Sequence, residues 1–148
     1  MNITWITKKF DELSLDELYA ILRLRSEVFV VEQNCVFLDM DNKDQFSHHL
    51  MGWENKVLLA YTRLVPPGVA YQFSSIGRVA TAQAARGTGI GKLLMEKSIE
   101  QLHGLFGPIP IKIGAQLYLK EFYHSFGFVQ SSDIYDEDGI DHIEMIRQ

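Results

Sequence analysis

One cysteine, Cys35, stands in a chain of 148 residues. No disulfide can close within it, which fits a reducing cytosol. No apolar run approaches the roughly 18 residues that a membrane-spanning helix requires. The opening stretch, MNITWITKKF, lacks both the apolar segment and the cleavage pattern of a signal peptide. These absences predict a cytoplasmic protein with no membrane partner. Basic residues are also few, with 14 Lys and Arg against 19 Asp and Glu and a formal net charge of −5. No local basic block reverses that balance, so nucleic acid is not the expected partner. Metal motifs are missing too. Asp39-x-Asp41-x-Lys43 begins like a calcium loop, but Lys43 replaces an oxygen ligand, Asp44 replaces the glycine and Leu50 falls at the last ligand position. The histidines form no His-x-x-x-His pair, so no metal is expected.

What is present is ordinary globular material. Hydrophobic residues make up 47% and charged residues 22%, enough for one well-filled core. There is no repeat, linker or low-complexity segment, so residues 1–148 read as one domain. Residues 2–7 alternate as a strand. A helix starts at the capping box of Ser14 and Glu17, with Leu13 and Leu18 at the staple positions. Leu15, Leu18, Leu22 and Val28 mark its apolar face, and it ends near residues 29–31. Residues 34–47 are polar and irregular, a solvated loop. Strands follow over 49–53, 56–65 and 71–81. A helix over about 89–103, a strand over 109–114 and a short helix over 117–125 come next. Strands over 127–131 and 140–147 flank a turn at DEDG. The order predicts an α/β fold with a mixed central sheet of about seven strands and helices on both faces.

The stretch ARGTGIGK, residues 85–92, carries the most chemistry. A Walker A loop would need glycine at Arg86 and Ser or Thr at Leu93, and has neither. A dinucleotide fingerprint starting at Gly87 and Gly89 would need its third glycine at Lys92. The pattern Arg/Gln-x-x-Gly-x-Gly/Ala does fit, with Arg86, Gly89 and Gly91 in every fixed position. At a strand-to-helix junction the first backbone N–H groups of the helix have no internal partner. The helix dipole adds positive potential, and glycines let a pyrophosphate approach closely. Arg86 can add a guanidinium. A glycine turn can equally serve only to link a strand to a helix.

The motif is not isolated. Downstream, FYHSFGF supplies a Tyr-x-x-x-Gly-Phe at Tyr123, Gly127 and Phe128. With the glycine turn and the element order, it resembles the GNAT family of acetyl-CoA-dependent N-acetyltransferases. Its stretches LYAILRLRSEVFVVEQNC, HLMGW, IGRVAT, GAQLYLKEFYHSFGF and YDEDGIDHIEM resemble the ElaA-type subgroup across the chain. The subgroup usually has proline where Asp141 stands. The family often has asparagine at the position of Gln116, whose amide can still meet the cofactor. RSEVFVVEQ also resembles, more faintly, acyl-homoserine-lactone synthases, which share the fold.

The resemblance implies transfer of acetyl from acetyl-CoA to a primary amine of a small molecule or peptide, by direct attack. Other acyl donors, or a CoA-binding sensor with little turnover, are the alternatives. For the cofactor it implies Gly87, Thr88, Gly89, Ile90 and Gly91 with Arg86, and the preceding strand at Val79, Ala80 and Thr81. Gln116 and Tyr123 complete that set, and Tyr123 is the proton donor to the departing thiolate. Val79 and Ala80 offer backbone groups to the thioester oxygen. For the base, Glu32 and His49 are the leading candidates. Arg25, Phe29, Glu32 and Arg78 fall on the acceptor side, although an arginine inside a strand or helix is commonly an ion-pair partner. Asp39, Asp41 and Asp44 hint at a cationic acceptor by charge alone. Cys35 invites a nucleophile reading, but direct attack leaves it a small hydrophobe. A homodimer through the last strands is also implied.

Overall fold

The computed structural model describes residues 2–148. In chain order the elements are β1 (Thr4–Lys9), α1 (Leu15–Arg25), β2 (His48–Glu54), β3 (Val57–Val65), β4 (Ser75–Thr81), α2 (Ile90–Phe106), β5 (Ile111–Gln116), α3 (Lys120–His124), β6 (Val129–Gln130), β7 (Tyr135–Glu137) and β8 (Ile140–Arg147). No helix among the described residues is long and apolar enough to cross a membrane.

The capping box at the start of α1 is formed. Ser14 Oγ accepts from the Glu17 N–H at 3.0 Å, and the Ser14 N–H donates to Glu17 Oε1 at 2.8 Å. Glu17 also accepts from Lys8 Nζ at 3.0 Å, which ties the cap to β1. Replacing Ser14 with alanine is expected to cost about 1 kcal/mol. For a chain of this size that lowers the melting temperature by roughly 2–4 °C, measurable by thermal denaturation.

The apolar face of α1 differs from the one expected. Ile21, Leu24, Arg25 and Val28 are buried, whereas Leu15 is 86% exposed. Leu18 and Leu22 lie on the flank. The sheet surface against which α1 packs decides which flank of a leucine-rich helix turns inward. The helix then continues to Glu32 as a π-helical segment, Ser26–Glu32. The Cys35 N–H closes it onto the Val30 carbonyl at 3.1 Å. Such wide turns are uncommon and concentrate at functional sites.

The expected α/β fold with helices on both faces of the sheet is present, and its strands fall into two sheets. One runs β1-β2-β3-β4 and the other β5-β8-β6, with β7 also paired to β8. Every strand pairing within them is antiparallel. The sheets join through one parallel bridge, Ser74 to Ile111, where the Lys112 N–H donates to the Ser74 carbonyl at 2.9 Å. Beyond that bridge β4 and β5 part, and the split opens a cleft. β7 is the strand the sequence reading lacked. Asp138 and Gly139 form a two-residue turn with φ of +53° and +82°, and Glu137 pairs with Ile140. Asp-Gly with both φ positive is a common tight hairpin turn.

Alternate residues of a strand face opposite sides, and the core follows that rule. Leu50 joins a cluster with Leu94, Leu102, Ile111 and Met145, which packs α2 across both sheets. Its neighbour Met51 joins Ile21, Leu24, Val28 and Tyr61 beneath α1. With α1 and α2 on opposite faces, β3 is covered on both sides and is buried from Leu58 to Val65.

Candidate active site

The split between β4 and β5 holds a cavity of about 430 Å³. A bulge shapes its β4 wall. Tyr61 pairs with Ala80 and Arg63 with Gly77, so Arg78 and Val79 together oppose Thr62 and drop out of the pairing register. Arg78 has φ of +53°, a left-handed conformation uncommon for a residue with a side chain. Val79 and Thr81 line the cavity. Ala80 turns its side chain into the core beneath α1 and can offer only backbone.

The glycine turn stands at one end of the cleft. Gly87 and Gly89 have φ of +81° and +84°, and Gly89 caps the N-terminus of α2. The Ile90 side chain is buried, so only its backbone is available to a ligand. Thr88 Oγ1 donates to the Ala85 carbonyl, which braces the turn. Gly91 and Arg86 line the cavity. Arg86 Nη1 lies 2.7 Å from Glu32 Oε2, and its Nη2 donates to the Thr81 carbonyl at 3.0 Å. Arg86, expected to bind phosphate, and Glu32, the candidate base, are therefore ion-paired to each other.

Across the cleft, β5 and α3 supply the opposite wall. Gln116 exchanges amide hydrogen bonds with Gln33, at 3.2 Å and 3.5 Å. Gln33, next to Glu32, was not singled out in the sequence, and nothing in a lone glutamine distinguishes it there. Tyr123 lines the cavity and is 6% exposed, with its ring edge-on to Phe122 and Phe128. Burial, with a smaller contribution from Tyr118, pushes its phenol well above the usual range. It stays protonated, so its hydroxyl remains available as a donor. Cys35 also lines the cavity, and its thiol donates to the Asp138 carbonyl at 3.3 Å.

Two expected site residues stand elsewhere. His49 is 1% exposed and does not line the cavity. Its Nε2 faces the Asp44 carbonyl at 2.9 Å and must carry the proton, leaving Nδ1 to accept from the Tyr61 hydroxyl at 2.7 Å. Burial outweighs the Asp44 contacts and lowers its pKa. A buried neutral ring with both nitrogens engaged cannot serve as the base. Arg25 is fully buried, with Nε 2.8 Å from Asp39 Oδ2 and Nη1 2.7 Å from Asp44 Oδ1. It cannot meet an acceptor.

These contacts also correct the reading of loop 34–47 as solvated. Arg63 Nη1 binds Asp41 Oδ1 at 2.7 Å and Asp44 Oδ1 at 2.9 Å. Arg78 Nε lies 2.8 Å from Asp39 Oδ1, and Nη2 lies 3.3 Å from Asp41 Oδ2. Arg25, Arg63 and Arg78 thus neutralise Asp39, Asp41 and Asp44. Burial alone would raise the pKa of Asp44 and Asp41. The guanidinium groups outweigh it, Arg25 then Arg63 for Asp44 and Arg63 then Arg78 for Asp41, and hold both below the ordinary carboxylate range. The network runs from α1 through the loop to the bulge and fixes the side chain of the strained Arg78.

Comparison with known proteins agrees with this architecture. The description of the acetyltransferase (GNAT) domain matches residues 26–148. Protein ElaA of Escherichia coli is 42% identical over 148 residues, covering 99% of this chain and 97% of ElaA. Its crystal structure superposes with a TM-score of 0.93, covering 99% of this chain and 100% of that one. The crystal structure of an acyl-CoA N-acyltransferase from Pseudomonas aeruginosa is 42% identical, with a TM-score of 0.95 and coverage of 99% and 100%. With its split sheets, bulged β4 and glycine turn at the head of α2, this chain belongs to the GNAT acetyltransferase family and is ElaA-like over nearly its whole length.

Proposed function

We propose that the protein transfers an acetyl group from acetyl-CoA to a primary amine by direct attack. The observation that supports this best is the cavity in the β4–β5 split, with the α2 glycine turn at one end and the buried Tyr123 phenol in its wall. The phosphates meet the free N–H groups at the head of α2, with Arg86 beside them. The pantetheine arm lies along β4 at Val79 and Thr81, where the bulge frees backbone groups.

The acceptor arrives as an ammonium with a pKa of about 10.4, and exposing its free amine at pH 7 costs about 4–5 kcal/mol. Glu32, or a water it holds, takes that proton. The amine nitrogen then bonds to the thioester carbon, and the carbon–sulfur bond breaks. The backbone at Val79 and Ala80 stabilises the charge developing on the carbonyl oxygen. The thiolate leaves toward the Tyr123 hydroxyl, which donates its proton to it; the second proton, shed by the nitrogen as it becomes an amide, returns to Tyr123 through solvent. Cys35 stays outside this path, since its thiol is bonded to the Asp138 carbonyl.

The test is CoA release with acetyl-CoA and a panel of amines, amino acids and peptides, beside titration of acetyl-CoA binding. Release with one acceptor class supports the enzyme reading. Tight binding without release on any acceptor supports a CoA-binding sensor. Gly89→Val adds a separate check. Its φ of +84° is strained for a β-branched side chain, so the turn must reshape. Acetyl-CoA affinity is expected to fall at least about tenfold, or about 1.4 kcal/mol. Unaltered affinity would remove the phosphate role of the turn.

A further inference from the structure

The acceptor class can be narrowed, on the reading of the cavity as an acyltransferase site. We infer that the acceptor is a cationic amine with an apolar body and no carboxylate beside its nitrogen. The acidic loop cannot carry a charge argument, because Asp39, Asp41 and Asp44 are neutralised by arginines. The cavity wall carries one instead. Its charged residues are Arg78, Arg86, Glu32, Glu137 and Asp138.

Neither arginine is free for a substrate carboxylate. Arg78 is held by Asp39 and Asp41. Arg86 is held by Glu32 and the Thr81 carbonyl, and it sits on the glycine turn where the acyl-CoA phosphates bind. When those phosphates engage Arg86, Glu32 is released, and the wall gains an unpaired carboxylate. Glu137 is the second. Its side chain is 58% exposed, with Oε2 3.2 Å from His142 Nε2. His142 Nδ1 faces the Ile140 carbonyl at 2.7 Å and so carries the ring proton. With both ring nitrogens facing oxygen acceptors, His142 bonds the two together only as an imidazolium; as a neutral ring it bonds the Ile140 carbonyl alone and leaves the Glu137 charge uncompensated.

Loading of acyl-CoA therefore leaves a cavity wall that carries Glu32, Glu137 and Asp138 and no uncommitted guanidinium among the described residues. An ammonium is attracted there. A carboxylate next to it would be desolvated beside like charges with no donor to meet it. Phe29 and Phe37 line the same region, offering faces to an apolar body and to a nearby cation.

Matched pairs test this directly. CoA release is measured with phenethylamine against phenylalanine and with agmatine against arginine at about pH 8, where the amines are still ammonium ions. Each decarboxylated amine is expected to give a kcat/KM at least about tenfold above its amino acid, the scale of one well-placed charge. Glu137→Lys, at an exposed position, is expected to shift that ratio about tenfold toward the amino acid while leaving acetyl-CoA affinity unchanged. Equal or better turnover of the amino acids overturns the inference and leaves the transferase reading intact. If no acceptor is turned over, titration of the CoA-loaded protein decides. Binding of the amines but not the amino acids keeps the inference and removes the transferase reading. Binding without discrimination, or no binding of either, overturns it.

Discussion

Replacing Tyr123 with phenylalanine is expected to lower the rate of CoA release about 10²-fold, within the usual range for losing a general acid, while acetyl-CoA affinity changes by less than about twofold. The asymmetry follows from what the hydroxyl does. The ring packs edge-on against Phe122 and Phe128, and phenylalanine preserves that packing. Only the oxygen is lost, and its partner is a sulfur that needs a proton only as the carbon–sulfur bond breaks. An interaction made only late in the reaction lowers kcat and kcat/KM together and leaves ground-state binding alone. Burial also holds the phenol protonated, so the wild-type rate should show no loss of this donor across the working pH range. An unchanged rate in the variant would remove the assigned role. A parallel loss of affinity would mark Tyr123 as a packing residue of the cofactor cleft.

Replacing Asp44 with alanine is expected to destabilise the fold by about 3–5 kcal/mol, the cost of stranding buried charges, and to lower the melting temperature by roughly 10 °C. Asp44 Oδ1 receives Arg25 Nη1 at 2.7 Å and Arg63 Nη1 at 2.9 Å. Both arginines are buried, so removing the carboxylate leaves two guanidinium groups undercompensated. Acid should have a related effect. Asp44 and Asp41 are held below their ordinary range in the folded chain, so the unfolded chain binds protons first as pH falls. Their stabilisation is complete above the unfolded carboxylate pKa of about 3.9 and is lost as pH drops toward their folded values. Denaturant melts should therefore show a plateau at neutral pH and a decline below about pH 4, shallower in Asp44→Asn. A wild-type stability that does not change down to pH 2 would contradict the network as described.

The local chemistry was legible in the sequence because it depends on neighbours along the chain. Ser14 and Glu17 lie three residues apart, and their capping box is set by helix geometry alone. Gly89 occupies a left-handed helix cap that favours glycine, and the turn at Asp138–Gly139 follows from the same backbone freedom. Arg86, Gly89 and Gly91 fix the kind of turn, and with Tyr123 and the element order they fix the family. What the tertiary structure decided involves partners distant in sequence. Arg25 and Asp44 are 19 residues apart, and Arg63 and Asp41 are 22 apart. No periodicity brings such pairs together, so a buried neutral network reads along the chain as an acidic, solvated loop. His49 resembled a base until Tyr61 and the Asp44 carbonyl were seen to hold both its nitrogens. The two sheets meet at a single bridge, Ser74 to Ile111, and strand propensity does not say that the neighbouring strands part beyond it. Short-range sterics and backbone hydrogen bonding determined the elements and the glycine turn. Long-range burial and charge pairing determined which acidic and basic groups remain free to act, and therefore where the cavity lies and what can enter it.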